Sequence, residues 1–382
     1  MERIFEYQKR NRFFARIPSG MEGLGAVELE ELGALEVRPV YTGIHFRADR
    51  ETLYRINYTS RLVSRVLAPI AVFKCHNTGY LYRRALRIEW EKILSPEYSF
   101  AVSANISNSK IRHSKYAALC LKDAIADYFR QTVGDRPDVD TSSPDLRLNL
   151  HIENNRATIS MDTSGGSLHQ RGYRKESVDA PMRETLAAAI IRLSGWNGEV
   201  PIYDPMCGSG TLLCEALLSI SRIPSGFLRL RFGFEFLPDF DIHAWDTVRQ
   251  VQQKLARKVR TGLITGSDRS GRAVSIARRN LGRLPGGSKI DVWVMPFENV
   301  RGIKDSVIVT NPPYGIRMGD RNELRSVYMN LGNFLKRRCT GSTAYIYFGS
   351  PDMVSWIGLR PSWRKSLKSG NLDGRLAKFV IY

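Results

Sequence analysis

The first 160 residues alternate between short apolar runs of strand character and segments of helical periodicity. Residues 12–46 predict a strand, a helix closed by Gly33, and a strand pair, whereas residues 51–67 have apolar positions at helical spacing. Further along, the pattern predicts a helix over Leu81–Ile93, a strand over Ser99–Ile106, a helix over His113–Thr132 and a hairpin of residues 146–152 and 156–161 around Glu153-Asn154-Asn155. This half of the chain is therefore expected to be of the α+β class.

The second half changes to buried strands that each run into a helix. Residues 163–180 are polar and Gly-rich, and a helix is predicted to start at Asp179-Ala180-Pro181 and to end at Gly195. The strand Pro201–Tyr203, the turn Asp204–Thr211 and the helix Leu212–Leu218 then form the opening unit of a doubly wound α/β sheet. Strands are also predicted at Leu263–Asp268, Ile290–Val294 and Val307–Thr310.

The turn after the first of these strands limits the choice of ligand. Gly208 and Gly210 would let the backbone approach a ligand where a Cβ would clash. A phosphate-binding P-loop needs a Lys after its last Gly, and none follows Gly210; a dinucleotide fingerprint needs a third Gly, where Leu213 stands. The ligand class that remains is an adenosine without a pyrophosphate, and S-adenosylmethionine (SAM) fits.

Asp268 ends the next strand and is the candidate for the ribose hydroxyls, with a helix N-cap as the alternative. It lies much farther from Asp204 than the usual ~20 residues. The surplus is the segment from about Ser221 to Gly262, which contains Phe-Gly-Phe-Glu-Phe at 232–236 and a basic run over Val248–Arg260. We expect a helical insertion that either packs on the domain or touches substrate.

The sequence Asn311-Pro312-Pro313-Tyr314 directly follows the apolar run Val307–Thr310. The prolines end the strand, stiffen the turn and remove two N–H donors. The Asn311 side-chain oxygen and the Pro312 carbonyl can then accept both hydrogens of one planar amine, and Tyr314 offers a face on which a base can stack. This geometry suits nitrogen methylation of a nucleobase; the alternative is an ordinary Pro-Pro turn.

The composition of the chain limits the classes of partner that it is expected to bind. The 382 residues predict two or three domains, and 57 basic against 38 acidic residues give a net charge of +19 and a pI near 9.9. Such an excess suits a polyanion. No run of ~18 apolar residues and no secretion signal is present, so nucleic acid is preferred to a membrane. Five Cys without a C-x-x-C pair predict a reducing, cytoplasmic location and no metal site.

Basic residues also cluster in both halves, which favours an extended polyanion over a short DNA operator. For any one cluster, a solvated face is an equally good interpretation. The clusters are Lys9-Arg10-Arg12, Arg83-Arg84-Arg87, Lys110-Arg112-His113-Lys115, Arg171-Arg174-Lys175, Lys336-Arg337-Arg338 and Arg360 to Lys368.

The block Asp204–Thr211 together with Asn311–Tyr314 resembles the motif pair of class I SAM-dependent amino methyltransferases. Three further stretches make the chain similar to the THUMP-domain RNA methyltransferases, and most similar to the RlmL-like ribosomal-RNA guanine-N2 methyltransferases in a form with a single methyltransferase domain. These stretches are Arg136–Asp145, Asp162–Arg174 and Ala180–Ile190. The resemblance covers nearly the full length and is more specific for the class than for the substrate.

The resemblance implies a seven-stranded Rossmann-like methyltransferase domain over residues 166–382, preceded by a ferredoxin-like segment over 1–60 and a THUMP RNA-binding domain over 61–165. It also implies which residues form the sites. For the target base these are Asn311, Pro312, Pro313 and Tyr314; for SAM they are Asp204, Gly208, Gly210 and Asp268, to which we add the neighbouring Pro205, Cys207, Ser209, Thr211 and Arg269.

Two parts of the predicted site have open alternatives. Many relatives carry an acid or amide for the adenine amine where this chain has Met295-Pro296, so backbone contacts or Glu298 must serve. In the connector, His169, Arg171 and Arg174 either contact RNA or brace the two domains.

We therefore expect a SAM-dependent RNA methyltransferase that modifies the exocyclic N2 of a guanine in 23S rRNA. A tRNA guanine-N2 methyltransferase is the first alternative, and an adenine-N6 DNA methyltransferase is the next. A non-catalytic RNA-binding or ribosome-assembly factor with a vestigial SAM site is the alternative from another class. The target nucleotide and the oligomeric state stay open.

Overall fold

A computed structural model describes residues 4–177, 181–314, 321–368, 370 and 372–382. The chain divides into two units. The first comprises Met1–Ile17, Gly25–Leu168 and Arg229–Arg249; the second comprises Pro18–Leu24, His169–Leu228 and Gln250–Tyr382.

The helices of the described residues follow the chain in this order: α1 Glu6–Arg10, α2 Glu22–Glu31, α3 Arg50–Thr59, α4 Thr78–Ala85, α5 Ser114–Thr132, α6 Glu184–Ser194, α7 Thr211–Ile220, α8 Ile242–Lys254, α9 Gly271–Gly282 and α10 Arg321–Arg338. Glycines Gly33 and Gly195 follow α2 and α6 with positive φ, as C-terminal glycines do. The predicted start of α6 at Asp179 and Ala180 lies outside the described residues.

The first unit contains a sheet in the order β2-β3-β1-β4-β7-β6-β5. Its strands are β1 Arg12–Arg16, β2 Leu35–Val40, β3 Gly43–Arg47, β4 Arg65–Lys74, β5 Phe100–Ser107, β6 Leu146–Glu153 and β7 Arg156–Asp162. Asn154 and Asn155 both have positive φ, which confirms the predicted hairpin between β6 and β7. Because β4 pairs with both β1 and β7, the sheet itself marks no boundary at residue 60, and the domain boundaries stay a prediction.

The prediction that helical structure continues to residue 67 is wrong, because α3 ends at Thr59 and β4 begins at Arg65. The Glu28 carboxylate of α2 accepts hydrogen bonds from Ser60 Oγ at 2.6 Å and from the backbone N–H groups of Arg61 and Leu62 at 2.9 and 3.1 Å. These contacts from a distant helix fix the chain reversal, and the β-branched residues after it enter the sheet. The predicted helix at Leu81 is also shorter than expected, since α4 ends at Ala85.

The segment predicted to be an insertion packs in the first unit over Arg229–Arg249, although its flanks belong to the second. Tyr54 of α3 stacks on Phe234 with ring centroids 4.4 Å apart, and Tyr58 meets Trp245 edge-on at 5.2 Å. The aromatic residues of the segment therefore complete the first unit's core. The expectation that the segment packs on the methyltransferase domain is wrong for this part, and its contact with substrate stays a prediction.

The second unit has a seven-stranded sheet in the order β10-β9-β8-β11-β12-β14-β13, which confirms the predicted doubly wound fold class. Its strands are β8 Ile202–Asp204, β9 Ile264–Asp268, β10 Asp291–Val294, β11 Val307–Thr310, β12 Thr343–Phe348, β13 Trp363–Ser366 and β14 Arg375–Val380. The first five strands in this order are parallel, and β14 runs against β12 and β13. The strand order reverses beside β8, so a ligand crevice is expected where β8 and β11 end.

Candidate active site

The turn between β8 and α7 is shaped by its glycines and by a buried acid. Gly208 and Gly210 both have positive φ, at 53° and 81°. A Cβ on Gly210 would lie 3.0 Å from the Ala277 Cβ and 3.3 Å from its Cα, so the close approach of α9 also requires glycine here. The sequence predicts that glycine here lets a ligand approach the backbone closely. Packing against α9 is a second reason why position 210 requires glycine.

Asp204 ends β8 beneath this turn and is only 1% exposed. Its Oδ1 accepts a hydrogen bond from the Met206 N–H at 3.1 Å. Burial raises the pKa of Asp204 to about 7. The side chain therefore holds the first residues of the turn from below, and a direct contact with SAM stays a prediction.

Asp268 connects the ends of two strands. Its Oδ2 accepts from the Gly208 N–H at 2.9 Å, and its Oδ1 accepts from the Ser270 N–H at 2.9 Å. The N-cap of α9 is Ser270, whose Oγ accepts from the Ala273 N–H, so the N-cap alternative for Asp268 is wrong. Each carboxylate oxygen can accept a second hydrogen bond, which leaves capacity for ribose hydroxyls. The adjacent Arg269 is exposed.

The second turn follows β11 and holds an acceptor without a donor. Asn311 and Tyr314 are half-buried, Pro312 is buried and Pro313 is exposed. The Tyr328 hydroxyl of α10 donates to the Pro313 carbonyl at 3.2 Å and anchors the turn. Among the residues that the structure describes, the buried Asn311 Oδ1 has no hydrogen-bond partner. A buried acceptor left in this way is costly unless a ligand supplies a donor.

The ring of Tyr314 is fixed from the side of β12. A Cβ on Gly349 would lie 2.6 Å from the Tyr314 Cγ, and the Tyr347 ring meets the Tyr314 ring edge-on with centroids 5.9 Å apart. Burial raises the pKa of the Tyr314 phenol, and the Asn311 side chain acts in the opposite direction. The sequence analysis missed Gly349, Tyr347 and Tyr328. A glycine just after an aromatic strand was the one available signal, and it equally suits an ordinary turn.

The structure brings both predicted turns to one edge of the sheet. Strand β11 pairs directly with β8, so the turn at Asn311 and the turn at Gly208 follow neighbouring strands that are ~4.8 Å apart. On the far side of β9, the Met295 N–H donates to the Asp268 carbonyl at 2.9 Å, and the apolar side chains of Trp293, Val294 and Met295 are exposed. Glu298 is exposed in a short 3-10 helix, and its role in adenine recognition stays a prediction.

The connector arginines bond within the second unit. Arg171 is only 2% exposed, and its Nε lies 3.5 Å from Glu215 Oε1, which also accepts from the Tyr173 hydroxyl at 2.9 Å. Arg174 donates to Thr211 Oγ1 at 2.8 Å, at the start of α7. Burial excludes RNA contact for Arg171, and the arginine contacts described here stabilise the fold around α7. His169 is half-buried, and its role stays a prediction.

Within the described ranges, no three or more His, Cys, Asp or Glu side chains come together as a metal site would require. No helix among these residues combines the length and the apolar character needed to cross a bilayer.

The sheet order and the two turns define a class I SAM-dependent methyltransferase. The chain belongs to the RMKL-like methyltransferase family, whose methyltransferase domain matches residues 171–378. A THUMP domain matches residues 76–162, and an RlmL ferredoxin-like domain matches residues 12–67.

Two relatives show how far the similarity extends. The chain is 38% identical over 371 residues to "Putative RNA methyltransferase slr0064" of Synechocystis, with 97% of each chain covered. It is 41% identical over 383 residues to the ribosomal RNA large subunit methyltransferase K/L of Syntrophotalea carbinolica. That match covers 97% of this chain but 53% of that protein. The chain thus spans about half the length of that K/L relative.

Solved structures match the chain over nearly its full length. The crystal structure of SMU.472 complexed with SAH superposes with a TM-score of 0.86 at 27% identity, covering 100% of this chain and 99% of that one. A protein described as a predicted N6-adenine-specific DNA methylase from Listeria monocytogenes superposes with a TM-score of 0.84 at 26% identity, covering 97% and 96%. SAM is the cofactor of the class. The positive-φ turn at Gly208 and Gly210 and the partly exposed Asp268 carboxylate fit it.

Proposed function

We propose that this methyltransferase modifies the exocyclic N2 of a guanine in 23S rRNA. The observation that carries the proposal is the buried Asn311 Oδ1, which has no hydrogen-bond partner among the described residues and lies one strand away from the turn at Gly208. The ribosomal substrate is supported by the K/L relatives, whose names place their activity on large-subunit rRNA. The THUMP match and the net charge of +19 support binding to RNA.

In the proposed reaction the protein works by positioning. SAM, when bound, would supply an activated methyl group, whose bond to the sulfonium sulfur breaks as the bond to the amine nitrogen forms, so that S-adenosylhomocysteine leaves. Asn311 Oδ1 and the Pro312 carbonyl accept hydrogen bonds from the two N–H groups of the amine, which draws its lone pair out of conjugation with the ring. The amine nitrogen must lie in line with the methyl group at about 3–3.5 Å. After transfer the nitrogen is strongly acidic, so its proton leaves to solvent and no dedicated base is needed.

The target base must leave its helical stack to reach this site. Tyr314 offers the face on which the extruded base stacks, and Tyr328 holds the turn beneath it through the Pro313 carbonyl. The first unit supplies affinity through contacts with the RNA backbone and shape, which position the RNA but do not choose the base.

Transfer of labelled methyl from SAM tests the proposal. Separate pools of unmodified 23S rRNA, 16S rRNA and tRNA are incubated with the full chain and digested to nucleosides. N2-methylguanosine from 23S rRNA is the expected product, and label in tRNA would favour the tRNA alternative instead.

The same assay addresses the other two alternatives. Because a pair of acceptors grips any exocyclic amine, unmethylated duplex DNA belongs in the series, and N6-methyladenine there would favour the DNA alternative suggested by the Listeria neighbour. SAM binding with no label in any pool, ribosomal precursor particles included, would favour a non-catalytic factor.

A further inference from the structure

One of the basic clusters seen in the sequence has a position in the fold that the other basic clusters do not share. The chain from Arg360 to its last residue carries six Lys and Arg against a single acid, Asp373. Arg375 binds both oxygens of Asp373, at 2.6 and 3.0 Å. Arg360, Arg364 and Lys365 are exposed, and none forms an ion pair with a carboxylate among the described residues.

The sheet register brings this cluster close to the carboxyl ends of the parallel strands, where the turn at Asn311–Tyr314 lies. Tyr347 of β12 pairs with Leu376 of β14, which pairs with Lys365 of β13. Lys365 is thus two strand spacings, ~10 Å, from the row of Tyr347. A chain of contacts makes the same connection, because Tyr347 touches the Tyr314 ring and donates its hydroxyl to the Leu367 carbonyl at 3.0 Å.

The other basic clusters of the second unit lack this position. Arg171 is buried against Glu215, and Arg174 is hydrogen-bonded to Thr211. Lys336 and Arg337 lie at the end of α10, shortly before β12 begins, and therefore at the end of the parallel strands opposite to the turn at Asn311. Among the basic clusters in the described part of this unit, only Arg360–Lys368 has exposed cations without an ion pair and also lies near the turn at Asn311.

We propose that the outer edge of β13, with Arg364 and Lys365 at its centre, binds the phosphates of single-stranded RNA that flank the target nucleotide. This rests on the proposed function for the identity of the RNA. A base extruded into the site leaves its neighbouring phosphates close to the site edge, where exposed cations neutralise them. Half-buried Trp363, over whose ring the Lys365 Nζ lies at 5.2 Å, adds an aromatic surface of the kind on which bases stack.

An edge strand also carries Lys and Arg for a simpler reason, because charge there prevents pairing with other chains. Reversal of the charge separates the two reasons. Arg364→Glu with Lys365→Glu keeps a charged edge but repels phosphate. The matched control is Lys336→Glu with Arg337→Glu, an equal charge change on exposed residues at the end of α10, away from both turns.

The test measures binding of the full chain to an unmodified large-subunit rRNA transcript over a series of salt concentrations, together with SAM affinity. We expect the β13 variant to lower the slope of log K against log salt by about 2, one per lost phosphate contact, and the control to leave it unchanged. The KM for RNA rises while kcat and SAM affinity stay the same. Arg364→Gln with Lys365→Gln replaces the reversal if that variant does not fold.

Equal slopes for the β13 variant and the unsubstituted protein, or equal losses in variant and control, would overturn the inference. Since binding is measured apart from methyl transfer, the two proposals fail separately. A changed slope without N2-methylguanosine would refute the proposed reaction only, and methylation with an unchanged slope would refute the β13 surface only.

Discussion

The ring of Tyr314 packs directly on the backbone of Gly349. No side chain heavier than hydrogen fits between them, because a Cβ at position 349 would be 2.6 Å from the Tyr314 Cγ and 2.7 Å from its Cβ. Gly349 does not have a positive φ, so the requirement for glycine comes from this contact and not from the backbone conformation. The position of the stacking ring is therefore set by the absence of a side chain.

Replacement of Gly349 by Ala should displace the Tyr314 ring and lower kcat by roughly 100-fold, the scale expected for a misplacement of about 1 Å in an active site. SAM affinity should be unchanged. In a Tyr314→Gly background both the ring and the Cβ that would clash are absent, so Gly349→Ala should then have little further effect. Gly282→Ala, on α9 with no atom near its added Cβ, is the control. Additive effects of the two substitutions would contradict the packing argument.

The acceptor role of Asn311 can be separated from its shape. Asn311→Leu has a similar volume but no acceptor, and we expect kcat to fall by about 10²–10³, as when one aligned hydrogen bond is lost from a transition state. Asn311→Asp keeps an acceptor and should be more active than the Leu variant. Calorimetry with SAM should give the same affinity for all three proteins; a loss of SAM binding would count against the assignment.

Breaking the buried pair between Arg171 and Glu215 should destabilise the second unit. Arg171→Met leaves the Glu215 carboxylate buried without its cation, which costs about 3–5 kcal/mol when the carboxylate stays charged. The exposed pair of Arg279 and Glu176 provides a control, because Arg279→Met should cost about 0–1 kcal/mol. Urea denaturation followed by tryptophan fluorescence measures both. Similar midpoints for the two variants would mean that the buried pair does not stabilise the unit.

Asp204 should make stability depend on pH. Its folded pKa is about 7 because of burial, above the ordinary value of 3.8, so the folded state binds the proton more tightly than the unfolded chain. Stability from this group is then fully present below pH ~4 and is lost as the pH rises through about 7. Asp204→Asn should remove that loss. The Tm of the variant, measured against the unsubstituted protein, should therefore be higher at pH 8 than at pH 5. Exposed Asp291→Asn is the control, and parallel pH curves for Asp204→Asn and the unsubstituted protein would refute the expectation.

The sequence was most informative where one strand, one turn and one helix are adjacent in the chain. The turn at Gly208, the Asn-Asn hairpin of β6 and β7 and the turn at Asn311 depend on local conformational preferences, which neighbouring residues reveal. The first residues of strand β4 were predicted to be helical because the chain reversal before them is fixed by Glu28, some 30 residues earlier. Gly349 could not be recognised either, since its importance comes from a ring 35 positions away in sequence.

The return of Arg229–Arg249 to the first unit has a consequence for synthesis of the chain. Tyr54 and Tyr58 reach their buried state against Phe234 and Trp245, which are translated long after Leu168. At about 5–20 residues per second, the first unit waits several seconds for the last part of its own core. During that time the nascent chain must keep an aromatic surface from aggregating while the first strand of the second sheet is already emerging. A single cut in the gene therefore cannot separate the two units: a cut after Leu168 leaves the first unit without these aromatic residues, and a cut after Arg249 divides the second.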